Sequence, residues 1–216
     1  MSQEELLDVL DESGAVIGVK SRAQVHADCD WHGLVFVWSA WNQDGQAVMM
    51  MQRRGRAGDR FIAQIDALAG GHIGSGETPA QSATRELLEE VGLRIAEEDL
   101  IELGTMWMER DHVDCQRVIE HLFLCPRPLT IEQLVTSDEV DGFVQVAVTD
   151  LIDLIEARRE QVKAQLRDTD GVRVVELSRQ AVAEYPPMIL ETFRQSLAAI
   201  DHYLRQGELD PTLIKG

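Results

Sequence analysis

Basic residues are scarce in this chain: 20 Lys and Arg face 38 Asp and Glu, a net charge of −18 over 216 residues. No basic block is present to release counterions from a phosphate backbone, so a nucleic acid polymer is excluded as a partner. A small phosphorylated substrate stays open to such a chain, because bound metal ions can supply the local positive charge. Cysteine is rare as well. Cys29, Cys115 and Cys125 are odd in number and widely spaced, which predicts neither a disulfide framework nor a CxxC metal site. That usage makes a reducing cytoplasm the default compartment. No apolar run reaches the ~20 residues of a membrane span, and the acidic first residues lack the apolar core of a signal peptide. A cytoplasmic protein with no membrane partner is expected.

What is present reads as strands first, one helix in the middle, then more strands and helices. Leu6–Leu10 and 15–20 form an N-terminal β-hairpin around Asp11-Glu12-Ser13-Gly14. Residues 34–41 and 46–53 flank Asn42-Gln43-Asp44-Gly45, the clearest hairpin of the sequence. Further strands are expected at 65–69, 101–109, 117–125 and 142–148, with a helix starting at 151. The charged stretch 161–184 is expected to be helical with a break near Asp168-Thr169-Asp170-Gly171, and 188–205 to be an amphipathic helix. The pattern predicts an α/β fold in which helices flank a mixed sheet. Residues 1–155 would form the main domain and 156–216 a helical C-terminal extension packed on it. The last helix is expected to make a homodimer contact, its apolar stripe being wider than the domain needs.

One window carries the chemistry. From Gly70 it reads GGHIGSGETPAQSATRELLEEVGL. Thr78, Pro79 and Gln81 make a capping-box helix start, and Gly92 a left-handed helix end, so a helix over Pro79–Val91 is predicted. Ala80, Ala83, Leu87 and Val91 fall on one stripe that should face a sheet. Glu86, Glu89 and Glu90 gather on another face, next to Arg85. Acids in the last turns oppose the helix dipole and repel one another, at a cost of about 0.3–1 kcal/mol each. A divalent cation between them turns that repulsion into coordination, and hard oxygen ligands suit Mg²⁺.

Gly71, Glu77, Arg85, Glu86, Leu87, Glu89, Glu90, Gly92 and Leu93 occupy every fixed position of the Nudix signature. A chance match at a given start is on the order of 10⁻⁹ from average residue usage. The chain thus resembles the Nudix hydrolases. The resemblance implies their α/β/α sandwich and Mg²⁺ as cofactor, with Mn²⁺ able to substitute. It implies Glu86 and Glu90 as principal metal ligands and Glu89 as a further ligand or the group that orients water. Arg85 would fix a box carboxylate and Gly70 would offer its carbonyl to the metal. Glu77 would support the metal through water or lock the loop. Nudix enzymes recruit one more acid from outside the box, for which Glu120 is the first candidate and Glu139 the second. Arg53, Arg54 and His72 are candidates for substrate phosphate contacts.

A narrower likeness, to the isopentenyl-diphosphate isomerase-like branch, rests on Asp11-Glu12-Ser13-Gly14, Ser21-Arg22, His26, His32, Gln52-Arg53-Arg54 and His72. In the isomerase the three matching histidines and two later acids bind a metal, and a cysteine before the Gly-His moves a proton. Here Gly70 stands in place of that cysteine, and Val118 in place of one acid. The expected activity is therefore Mg²⁺-dependent hydrolysis of a nucleoside diphosphate linked to another moiety, or of a nucleotide. Isomerase-like chemistry on a prenyl diphosphate and a non-catalytic nucleotide-binding module are the alternatives.

Overall fold

A computed structural model describes residues 5–55, 61–110, 116–182 and 185–215. The chain starts as a hairpin of β1 (Leu6–Leu10) and β2 (Val16–Ser21), then a short helix α1 (Arg22–Asp28) that the sequence pattern did not announce. Its start is nonetheless encoded locally, since Ser21 and Gln24 form a reciprocal capping box. Next come β3 (Trp31–Gln43) and β4 (Gln46–Arg54), joined through Asp44 and Gly45, both at positive φ. That two-residue turn matches the twist of the strands it connects. Then follow β5 (Ile65–Asp66), β6 (Ala69–His72), α2 (Pro79–Val91), β7 (Ile101–Arg110), β8 (Gln116–Cys125), β9 (Val140–Ala147) and α3 (Val148–Ile155). The chain ends in β10 (Gln161–Asp168), β11 (Gly171–Ser178) and α4 (Pro187–Gln206).

The strands form one mixed sheet in which β3 pairs parallel with β8 and antiparallel with β4 and β6. Side chains alternate across it, and each face builds a separate core. Val35, Val37, Met50, Phe123 and Phe143 meet Ala83, Leu87 and Val91 of α2 on one side. Trp38, Met49, Met51, Leu122, Leu124, Val144 and Val146 meet α3 and α4 on the other. Trp38 packs edge-on against Phe193 of α4 at 4.9 Å between ring centroids. This is the expected α/β/α sandwich.

Three expectations are corrected. Residues 161–178 are not helical: β10 and β11 form a hairpin that extends the main sheet beyond β9. Burial along β10 alternates, with Val162, Ala164 and Leu166 inside. That period of two outranks the helical reading of its charged residues. The apolar stripe of α4 (Phe193, Leu197, Ile200) is covered by the core of its own chain, which removes the reason given for a dimer contact. Cys29 is disulfide-bonded while Cys125 is a buried free thiol. Cys115 lies outside the described residues.

Candidate active site

The loop between β6 and α2 is held from both ends. Glu77, at its close, accepts hydrogen bonds from the Gly74 amide (3.2 Å), the Ser82 hydroxyl (2.6 Å) and the Arg85 guanidinium (3.1 Å). Burial alone would raise the Glu77 pKa, but these donors outweigh it and hold the carboxyl below its ordinary value. Arg85 also donates to Glu86 Oε1 at 2.7 Å, to Glu89 Oε2 at 3.2 Å and to the His72 carbonyl at 2.9 Å. One guanidinium therefore ties the loop, the strand before it and two box acids into a single unit, which its fork of donors permits. From the other side β1 pins the loop: Asp8 accepts from the Ser75 hydroxyl (2.6 Å) and the Gly76 amide (3.2 Å).

Against this frame the acids divide by environment. Glu86 is buried and lies against Gly71, where any Cβ would collide with its carboxylate. Glu90 Oε2 accepts from the Gly70 amide and from Gln52 Nε2, each at 3.2 Å. Burial, then the nearby Glu86, Glu139 and Asp66 charges, push the Glu90 pKa up to about 8, with the Gly70 hydrogen bond opposing. Burial also raises Glu86, overriding the attraction of Arg85. Glu89 is exposed at the rim. Two carboxylates held close in a site that disfavours their charge match what a divalent cation compensates. Glu86 and Glu90, with Glu89 on the same helix and Gly70 bonded to Glu90 through its amide, are the residues that would hold it.

The remaining sequence candidates are placed differently. Arg54 is paired with the buried Asp66 at 3.1 Å. Arg53 bridges Asp141 (2.6 Å) and Asp168 (3.2 Å). Glu120 is buried on β8 in the even-numbered row with Leu122 and Leu124, on the sheet face opposite α2. Its Oε2 accepts from Thr192 of α4 at 3.0 Å. Glu139 instead lies near enough for its charge to act on Glu90. Gln52, Asp66 and Ser82 were missed. Each is buried and is hydrogen-bonded to a residue outside its own element: Gln52 to Glu90, Asp66 to Arg54 and Ser82 to Glu77.

The three histidines of the isomerase likeness do converge. His26 of α1, His32 of β3 and His72 of β6 place ligand-type nitrogens within 4.8 Å of one another. His26 Nε2 and His72 Nε2 are 3.1 Å apart. His32 Nδ1 donates to the Asp30 carbonyl at 3.0 Å, which leaves its Nε2 lone pair free, and that buried atom has no hydrogen-bond partner. Burial holds His32 below its ordinary pKa and takes His72 down to about 2, so both are neutral imidazoles at pH 7. Neutral nitrogens with one tautomer fixed suit a transition-metal ion better than Mg²⁺.

Comparisons with known proteins agree with this layout. Residues 30–166 match the family model described as NUDIX domain. An uncharacterised Nudix hydrolase of Clostridium acetobutylicum is 30% identical over 166 residues, covering 76% of this chain and 80% of the relative. One from Yersinia pestis is 34% identical over 149 residues, covering 67% and 76%. The crystal structure of DR0079 from Deinococcus radiodurans shares the fold, with a TM-score of 0.56 at 19% identity over 71% of this chain and 90% of that one. With the signature on a clamped loop and helix, and its acids gathered at one end of β6, the chain belongs to the Nudix family of hydrolases.

Proposed function

We propose that the protein is a Mg²⁺-dependent pyrophosphohydrolase. Its substrate class is a nucleoside diphosphate linked to another moiety, or a nucleotide. The observation that carries this reading is Glu90, whose pKa stands at about 8 beside the buried Glu86. A phosphoanhydride resists water because attack must approach clustered negative oxygens, so catalysis consists mainly of charge neutralisation and positioning. When bound, the cation supplies that neutralisation and makes water a better nucleophile.

The side chains do the rest. Glu86 and Glu90 would hold the cation, and Arg85 keeps Glu86 aligned through its 2.7 Å hydrogen bond. Glu77 fixes the loop through Ser82 and Arg85 rather than reaching the cation itself. Glu89, exposed at the rim, would be a further ligand or the group that orients the attacking water, and Glu139, whose charge acts on Glu90, would be the acid from outside the box. Isomerase-like chemistry is disfavoured, since Gly70 has no thiol to offer the substrate.

The test is release of phosphomonoesters or pyrophosphate, resolved by mass, from a pool of nucleotides, sugar nucleotides and dinucleotides with Mg²⁺, comparing wild type with Glu90→Gln. Wild-type release that disappears in the variant is the expected result; equal release from both rejects a metal-dependent hydrolase. Products formed in ¹⁸O-labelled water identify the phosphorus attacked.

A further inference from the structure

Gln52 is the least expected neighbour of the box. It sits near the end of β4, on the sheet face shared with Met50 and α2, and is only 3% exposed. Its side-chain N–H donates to Glu90 Oε2. The other end of the same amide, Oε1, is buried with no hydrogen-bond partner. Turning the amide over does not relieve this, because the orphan position would then hold an NH₂ without an acceptor, and with a cation bound the Glu90 carboxylate would face Oε1 as a second acceptor. A buried carbonyl without a donor is uncommon in folded proteins and calls for an explanation. This one belongs to a group already hydrogen-bonded to an acid of the proposed cation site.

We infer that Gln52 is a positioning residue of that site. Its N–H holds Glu90 in the orientation that faces the cation, while its Oε1 accepts a hydrogen bond from a water of the cation's hydration shell. Mg²⁺ and Mn²⁺ keep several waters when carboxylates bind them, so donors of this kind are available. The inference rests on the box acids holding a divalent cation. It adds a neutral residue, outside the signature and on a different element, that sets how firmly the cation is held.

The experiment measures Mn²⁺ binding to the full-length protein by electron paramagnetic resonance of the free ion. Melting temperature is recorded alongside, with and without Mn²⁺. Gln52→Met keeps the length of the side chain but can neither donate to Glu90 nor accept from water. It should melt within a few degrees of wild type without metal and bind Mn²⁺ about 10- to 100-fold more weakly, the usual effect of losing an outer-shell partner. Gln52→Glu adds a carboxylate facing Glu90, so the metal-free protein should lose melting temperature and the Mn²⁺-induced gain should exceed that of wild type. Wild-type Mn²⁺ affinity and an unchanged Mn²⁺-induced gain in both variants overturn the role of Gln52 alone. If Gln52→Met fails to fold, the Gln52→Glu arm decides by itself. Absence of Mn²⁺ binding by the wild type overturns the cation site as well.

Discussion

Gly71 and Glu86 occupy one space: a side chain on the glycine would overlap the carboxylate of the acid. The signature glycine is thus needed where β6 passes directly beneath the box helix. Backbone freedom is not the reason, since Gly71 is absent from the positive-φ positions. Gly71→Ala should push Glu86 out of line. We expect the hydrolytic rate to fall at least ~10²-fold, as for a small misplacement of a catalytic group. Steady-state kinetics beside a circular-dichroism melt check this, and a fully active Gly71→Ala protein would show that Glu86 needs no fixed position.

The Glu90 carboxyl links metal, pH and stability. Its pKa in the folded, metal-free protein is about 8, against an ordinary value of 4.5. Between those values the folded chain holds a proton that the unfolded chain has released. Its stabilising contribution is therefore complete below about pH 4.5 and is lost as pH rises through 8. A melting-temperature series in EDTA should decline over that window by at least ~5 °C. Saturating Mg²⁺ or Glu90→Gln should flatten it. A decline of the same size in the variant would move the effect to another group.

Arg85 separates charge from shape. Its Nε touches Glu77, its Nη1 both Glu86 and Glu89, and its Nη2 the His72 carbonyl. Lysine keeps the charge but cannot make these contacts together. Arg85→Lys should therefore lose ~10²-fold or more in kcat/KM, close to the loss in Arg85→Ala. Near-wild-type activity in the lysine variant would reduce Arg85 to a simple counter-charge.

The histidine cluster predicts a second, chemically distinct metal preference. Titration with Co²⁺ should produce visible absorption bands in the wild type and not in His32→Ala, whose lost nitrogen is the one without a partner. The Mg²⁺-dependent hydrolysis of that variant should stay within a few-fold of wild type, since Glu86 and the His32 row lie on opposite faces of the sheet around β3 and β6. Unchanged cobalt spectra in His32→Ala would mean that the imidazoles simply pack together.

The sequence was most legible where structure is specified over a few residues. The ends of α2 are fixed by Thr78, Gln81 and Gly92 within one turn of themselves, so Pro79–Val91 could be read off directly. The β3–β4 hairpin was equally readable, because its Asp44-Gly45 turn takes the positive φ that these residues accept. The hairpin at 161–178 was misread although Val162, Ala164 and Leu166 alternate with polar neighbours. The neighbouring β9 that gives the alternation meaning is not adjacent in sequence, and charged residues on an outer strand resemble a solvated helix.

By itself, then, the sequence determined the acids, their spacing on one helix and the loop glycine that lets that helix approach β6. Which distant groups join them was decided only when strands fixed the face on which each side chain points. That step sent Glu120 to Thr192 on the far side of the sheet, brought Gln52 and Glu139 to Glu90, and gathered His26, His32 and His72. The physical reason is the two-residue alternation of a strand: it assigns faces only once the strand's neighbours and register are set.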